Sequence, residues 1–396
     1  MAVGVVLLGG IRIVHAADFH AGRPAPAYLG DEKGRLRREE IIKALETTVD
    51  VAKSEGAHLL LICGDLFEHA YSRVGMIREM LALLERIPST RVFITPGNHD
   101  PYVDGSFYAT LRIPGNVHVF KERAVTPVTL SDPGVTVHGL GWTRFEEPAR
   151  LLSGYRCPGG PYPSILMLHA DLVTDSTGSS YLPVFPEDIK GSGASYVALG
   201  HIHSRTELRY GGTTCVYPGS PEPLDFGETG DHGVFLVELD KGNARTKFIP
   251  TAKRRMHRVS CDITGADTLE KIRAIVLSAG QPSERKSDLW QIILTGACDP
   301  EVDLDLDEIK RTVSTEFFYV EFVLDVVPDY DLEGLATSEA QGIESRFVQA
   351  IAEERKRAEA SGDPGQVRLL EKALYFGLDA IRLKRIVHRG ITRESG

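Results

Sequence analysis

Val92-Phe93-Ile94-Thr95-Pro96-Gly97-Asn98-His99-Asp100 is the stretch on which the reading of this chain turns. A short run of β-formers stops at a proline and a glycine, and the next three side chains can each bind a metal ion or move a proton. The same device recurs along the first 220 residues. Apolar runs at 11–15, 59–63, 135–140, 165–168, 196–199 and 214–217 end abruptly in polar loops. They are short, nearly continuous and bounded by turn residues, as strands buried on both faces are. Helical patterns lie between the early runs. Residues 37–55 carry Ile41, Ile42, Leu45, Val49 and Ala52 at helical spacing, with Gly56 as a stop. Residues 74–87 carry Ile77, Met80, Leu81 and Leu84 ahead of Pro88. Strand–helix–strand alternation predicts an α/β fold with a layered sheet whose loops gather at one edge.

That edge is where a ligand site belongs. Asp18-Phe19-His20 follows the first run, Gly64-Asp65 the second and Gly97-Asn98-His99-Asp100 the third; His169 and Gly200-His201-Ile202-His203 follow later ones. Two carboxylates, an amide and several imidazoles, with no thiolate, suit Mn²⁺, Fe²⁺ or Zn²⁺ in a catalytic site rather than a Cys-rich structural zinc. Asp18, His20, Asp65, Asn98, His169, His201 and His203 are too many ligands for one open metal and right for two, with Asp65 as the natural bridge. An Asp-x-His or a Gly-Asp alone reads as a turn or cap. Gly-Asn-His-Asp and Gly-His-x-His, each after a strand and in this order, make the set specific. His15, His58, His118, His138, His232, His257 and His388 read as core or surface histidines.

The remaining features bound the answer. A chain of 396 residues exceeds one compact core and predicts two domains with a further small element. The net charge of −10 excludes a uniformly basic nucleic-acid clamp but not a local basic patch. Five dispersed cysteines read as reduced thiols in a cytosolic, cytoplasmic protein. The apolar N-terminus lacks a basic start and runs straight into a strand, so it does not read as a signal peptide. No apolar run reaches the roughly 18 residues of a membrane helix. The texture changes near Ile249. Expected domains are a catalytic domain at 1–250, a small α+β cap at 251–327, an acidic linker at 328–344 and a helical C-terminal segment at 345–396. In that segment Leu370, Ala373, Leu374, Leu378 and Ile381 share one face, which must pack on its own domain or on a partner. Gly377 weakens the expectation of an unbroken helix there.

The ordered series Asp18-x-His20, Gly64-Asp65, Gly97-Asn98-His99-Asp100, His169 and Gly200-His201-x-His203 resembles the calcineurin-like metallophosphoesterases. Gly64-Asp65-Leu66-Phe67, His138-Gly139-Leu140-Gly141, Tyr217-Pro218-Gly219-Ser220 and Phe226-Gly227-Glu228 bring it closer to the SbcD-type DNA repair exonucleases. The resemblance implies a sheet sandwich flanked by helices, with a capping domain. It implies that Asp18, His20 and His203 hold one metal, that Asn98, His169 and His201 hold the other, and that Asp65 bridges them. It sets His99 apart as general acid or transition-state stabiliser; Asp100, next in the chain, is a candidate to orient it, with a structural role in the turn as the alternative. It departs from some family nucleases at Glu68, where they carry a substrate-facing histidine, and His69 stands beside it.

The expected function is therefore phosphodiester hydrolysis in DNA repair, by in-line attack of a metal-activated hydroxide, as exonuclease or endonuclease. Mn²⁺ is the expected metal of the pair, with Fe²⁺, Zn²⁺ or Mg²⁺ as alternatives. Glu68 and His69 are candidate substrate contacts. Arg35, Arg37 and Arg38 form a candidate DNA-phosphate patch, with a solvated helix start as the plain alternative. The resemblance further implies an SMC-like ATPase partner of the SbcC type and a homodimer; the lack of a long apolar run implies no membrane. The competing function is a phosphoesterase for a small phosphodiester, cyclic nucleotide or phosphoprotein.

Overall fold

The computed structural model describes residues 10–174, 178–302, 304–337 and 342–384. Residues 1–9, where a signal peptide would lie, are outside the described residues, as are 338–341 of the expected linker and the terminal residues that include Ile386 and His388. The chain divides into two compact units, Met1–Arg255 and Met256–Gly396.

In the first unit the early runs form β1 (Ile11–Ala16), β2 (Leu59–Cys63), β3 (Arg91–Thr95), β4 (Val117–Val119), β5 (Thr126–Leu130), β6 (Val135–Gly139) and β7 (Ser164–His169). After them come β8 (Asp171–Leu172), β9 (Pro183–Val184), β10 (Tyr196–Gly200) and β11 (Thr206–Tyr210). The last are β12 (Thr213–Tyr217), β13 (Gly233–Asp240) and β14 (Asn243–Pro250). Two six-stranded sheets result, in the orders β14-β13-β1-β2-β3-β4 and β11-β12-β10-β7-β6-β5. β1 through β4 run parallel, and so do β6, β7, β10 and β12.

The continuous apolar character of the strands follows from burial on both faces. Ile13, Leu59, Leu61 and Phe93 point into the space between the sheets and meet Val137, Ile165, Met167 and Ala198. The alternate residues Val14, Leu60, Ile62 and Ile94 point outward against α1 (Gly30–Ser54) and α2 (Val74–Glu85) through Ile41, Leu45, Val49, Ile77 and Leu84. The second sheet's outer face packs Leu166, Leu168 and Val197 against Trp142, Leu152 and Ile189. Each fully buried Leu or Ile contributes roughly 1.5–3 kcal/mol over exposure, so this sandwich holds the strand ends rigidly. His15 lies within it, hydrogen-bonded to the Tyr196 hydroxyl (2.8 Å) and the Leu199 carbonyl (3.2 Å). Burial drives its pKa down to about 3, so it is a neutral core histidine.

The second unit is a parallel sheet of β15 (Met256–Asp262), β16 (Leu289–Cys298) and β17 (Tyr319–Pro328). Parallel neighbours need crossovers, and helices supply them. Ile272, Val276, Ile309 and Val313 of those helices cover Ile292, Leu294 and Val326. The acidic segment expected to be irregular contains a short helix, Leu332–Thr337, because Asp331 Oδ1 accepts the Gly334 N–H (2.8 Å). Two helices follow, Ile343–Ser361 and Pro364–Arg382, parted by Gly362 in the left-handed region and restarted by the Asp363 cap and Pro364. The second runs unbroken through Gly377. A Cβ there would sit 2.1 Å from Phe347 Cζ, so the glycine serves packing between the two helices. No helix among the described residues is long and apolar enough to cross a membrane. Cys63, Cys157, Cys215 and Cys261 are free thiols.

Candidate metal centre

The loops after β1 and β2 run on together past the strand ends. The N–H groups of Asp18, His20 and Ala21 donate to the carbonyls of Gly64 (3.1 Å), Asp65 (2.8 Å) and Leu66 (3.2 Å). Asp18, His20, Asp65 and His201 all have positive φ (56°, 51°, 50° and 102°), a conformation that costs non-glycine residues energy and concentrates at functional sites. The glycines before the donors are steric requirements. A Cβ on Gly64 would stand 2.1 Å from His169 Nδ1, and one on Gly97 2.2 Å from Asp65 Oδ1.

The sequence-predicted ligands meet at this point, supplied by both sheets. Asp18, His20 and His203 place ligand atoms within 4.8 Å of one another, and so do Asp18, Asp65 and His169. Asp65 Oδ2 lies 3.3 Å from His169 Nε2 and 3.6 Å from His20 Nε2, between the two groups. Asn98 Oδ1 is 2.9 Å from His169 Nε2. The His201 ring stands 5.2 Å from that of His169, and its backbone N–H donates to Asp18 (3.1 Å).

The outer nitrogens of the imidazoles fix their tautomers. His20 Nδ1–H donates to Glu68 Oε1 (2.9 Å), His203 Nδ1–H to Glu228 Oε1 (2.6 Å), and His169 Nδ1–H to the Cys63 carbonyl (3.0 Å). In the neutral ring each Nε2 then carries the lone pair that a cation would take. The Nε2 atoms of His20 and His203 face each other at 3.0 Å, and Nε2 of His169 faces the oxygens of Asn98 and Asp65. Acceptor set against acceptor is favourable only with positive charge between them, so these residues fit a pair of cations. Burial raises the Asp18 pKa, and its neighbouring imidazoles act against that rise. Burial also opposes ionisation of Asp65, yet His169, His20 and His99 hold it well below the usual carboxylate range. Burial disfavours a charged His169, but without a cation Asp65 and Asp18 lift its pKa to about 9, so a proton on Nε2 holds the place that a bound cation would take. His201 is driven down to about 3 by burial and then by His169.

His99 differs in exposure from the predicted ligands, although its ring also reaches within 4.8 Å of ligand atoms of His20 and Asp65. Its side chain is 44% exposed, whereas those of His20, Asp65 and His169 are buried. Its backbone N–H donates to Asp65 Oδ1 (2.8 Å), and its Nδ1–H donates to Glu68 Oε2 (2.9 Å). That bond holds the His99 pKa above its ordinary value against partial burial.

Three sequence expectations need correction. Asp100 does not orient His99. Its buried carboxylate accepts the N–H groups of Asp65 (3.1 Å), Leu66 (2.8 Å) and Gly97 (2.6 Å) and the Tyr108 hydroxyl (2.7 Å), tying the second and third loops together. Burial and the Asp65 charge push its pKa up to about 6. Glu68 is buried, and both its oxygens are committed to His20 and His99, so it positions these rings instead of facing substrate. Arg37 is buried as well, bound to Glu40 (2.6 Å), Glu222 (2.5 Å) and the Pro223 carbonyl (2.8 Å); Arg35 and Arg38 are exposed on α1. His69 is half-buried beside Phe107 and Phe145.

Sequence reasoning missed the second carboxylate support. Glu228 Oε2 accepts the Ser220 hydroxyl (2.6 Å) and the Leu224 N–H (3.1 Å), which aims Oε1 at His203. Tyr217–Ser220 and Phe226–Glu228 were legible as motifs, but their role depends on a fold that returns them to His203.

The calcineurin-like phosphoesterase pattern matches residues 11–205. The uncharacterized metallophosphoesterase YhaO of Bacillus subtilis is 25% identical over 277 residues, covering 68% of this chain and 67% of its own. The DNA double-strand break repair protein Mre11 of Methanopyrus kandleri is 28% identical over 323 residues, covering 74% of this chain and 67% of its own. A subunit of the nuclease SbcCD of Bacillus subtilis is 23% identical over 275 residues, covering 60% of this chain and 68% of its own.

Proposed function

Residues 11–205 are a calcineurin-like phosphoesterase domain, and on that premise we propose that the chain is a two-metal phosphodiesterase that cuts DNA. The observation that carries this reading is an enclosed cluster of bare ligand atoms beside a single exposed and oriented imidazole, His99. Asp18, His20 and His203 would hold one cation, Asn98, His169 and His201 the other, and Asp65 both. When bound, the cations supply Lewis acidity, neutralising the phosphoryl oxygens and lowering the pKa of water in the site. Mn²⁺ is the proposed metal.

His99 carries the proton. With Nδ1–H donated to Glu68, the nitrogen available to substrate is Nε2, and the Glu68 carboxylate stabilises the imidazolium. An imidazolium there protonates the departing oxygen as the P–O bond breaks, and the elevated pKa keeps this acid form present near neutrality. Relatives named for DNA break repair and as a nuclease subunit support DNA as the substrate. The SbcD-type motifs of the sequence support an SMC-like ATPase docked on the C-terminal helices and a homodimer, and the dispersed cysteines support a cytoplasmic location. Truncation after Ser361 that abolishes co-purification with such an ATPase and spares hydrolysis would support the docking role.

A small phosphodiester is the second reading. Burial of Arg37 favours it, because it removes one cation from the expected DNA patch. The test is hydrolysis of linear duplex DNA, single-stranded DNA and bis-p-nitrophenyl phosphate with Mn²⁺, Mg²⁺ or Zn²⁺. Cleavage of the small diester alone, under every metal, selects the second reading. His99→Ala should keep its metal and lose most of its rate; loss of metal instead would make His99 a ligand.

A further inference from the structure

Two aromatic rings beside the proposed metal centre are exposed. Phe145 is 52% exposed and Tyr181 38% exposed, although large aromatic side chains gain most by burial. The Tyr181 ring lies 4.9 Å from that of His201. The Phe145 ring lies 5.9 Å from that of His69, whose backbone N–H donates to the His99 carbonyl (2.9 Å). Both rings therefore adjoin residues next to, or within, the groups assigned to the phosphate.

The backbone beneath them is fixed. Buried Trp142 donates its Nε1–H to the His169 carbonyl (2.8 Å), and its own carbonyl accepts the Tyr102 N–H (2.7 Å). The loop then runs past Phe145 to Glu147, which clasps the Tyr181 segment from both sides. Glu147 N–H donates to the Ser180 carbonyl (2.8 Å), and Leu182 N–H to the Glu147 carbonyl (2.6 Å). Asp171 N–H donates to the Tyr181 carbonyl (2.9 Å). Leu182 is fully buried with φ at 49°, and Arg123 forks onto the Glu147 carboxylate at 2.6 and 2.8 Å. These rings are held out on an anchored frame; they are not the tips of a loose loop.

We propose that Phe145 and Tyr181 form a stacking platform for an unpaired nucleobase whose phosphate lies at the metal centre. This rests on the phosphodiesterase reading and deepens it by naming a nucleotide, single-stranded or at a frayed end, as the group bound. Every base has a π-face, so such a platform tolerates any sequence. It needs no continuous basic groove, which suits a chain of net charge −10 whose Arg37 is already paired. A base in a duplex stack has no free face, so the nucleotide must leave the stack to bind.

The test is calorimetric titration of the Mn²⁺-loaded full chain with thymidine 5′-monophosphate and with 2-deoxyribose 5-phosphate, which differ only by the base. The nucleotide should bind about 5- to 150-fold tighter, the factor that stacking of one base supplies. Tyr181→Ala and Phe145→Ala should each shrink that ratio while the sugar phosphate's Kd stays constant, which also shows that the fold is intact. Equal affinities in the wild type, no measurable nucleotide binding, or a ratio that survives the double variant overturns the platform. So does tighter binding of phosphotyrosine, which would assign the rings to a protein substrate. The phosphodiesterase reading fails by a separate readout, the absence of bis-p-nitrophenyl phosphate hydrolysis by the same preparation.

Discussion

Glu68→Gln tests the central claim about the site, that one carboxylate orients both a metal ligand and the proton donor. The two Glu68 oxygens each accept an imidazole Nδ1–H at 2.9 Å. A glutamine keeps the shape but offers one oxygen and one NH₂, so one ring must lose its bond or change tautomer. A hydrogen bond to a charged group contributes about 1.5–3 kcal/mol. At about 1.4 kcal/mol per tenfold in rate, losing one predicts a fall of about 10- to 150-fold. That agrees with the roughly 10- to 100-fold typical of supporting residues around metal ligands. The assay is steady-state hydrolysis of bis-p-nitrophenyl phosphate at saturating Mn²⁺, with bound metal measured on the same samples. Two further readouts separate positioning from general damage. Removing the carboxylate lowers the His99 pKa, so the high-pH limb, where the acid form is lost, should move to lower pH. In the double variant with His99→Ala, the two losses should multiply less than fully, because the part of the Glu68 effect that runs through His99 is already gone and only the part through His20 remains. A Glu68→Gln enzyme within twofold of wild type, or a double variant whose losses multiply in full, would refute the reasoning.

Other perturbations follow from the same geometry. Gly64→Ala forces a Cβ against the His169 ring at a φ of 84°; backbone strain alone is worth about 1–3 kcal/mol, and both melting temperature and bound metal should fall. Asp100→Asn should destabilise the protein in urea by several kcal/mol, about 3–5 by analogy with breaking a buried polar network, with activity per bound metal little changed; a selective loss of rate would restore its catalytic role. His15 stays neutral when folded, with a pKa of about 3, but protonates below about 6.5 when unfolded. The unfolded state thus binds the extra proton, and wild-type stability should fall as pH drops from 6.5 toward 3, by about 2 kcal/mol at pH 5. In His15→Gln that component should vanish from the difference between urea midpoints at pH 7 and pH 5; an unchanged difference would show that His15 does not titrate as argued.

What was legible in the sequence was what is local. A strand end, a glycine and a donor lie within a few residues of one another, so Gly64-Asp65 and Gly97-Asn98-His99 announce both the turn and the ligand. What was hidden depends on where the chain returns. Alternating strands and helices do not say that β1, β2 and β3 share one sheet while β7 and β10 share another. Glu68 stands three residues after Asp65 whether it faces substrate or His20, and only the packed loops decide. Arg37 sits in a basic run, yet Glu222, distant in sequence, makes it a core residue. Gly377 reads as a helix breaker until Phe347 is seen to occupy the space it leaves.

The division of the ligands between two sheets has a consequence for biosynthesis. Asp18, His20, Asp65 and Asn98 follow strands of the first sheet, while His169, His201 and His203 come from the second. A nascent chain that has emerged only as far as the loop after β3 carries the acidic and amide donors and His20, but lacks the later imidazoles that close either cation site. β1, at the heart of the first sheet, also waits for β13 to pair along its other edge. Both proposed cation sites are therefore complete only once the loop after β10 has been made, so a fragment ending after β3 would lack part of each.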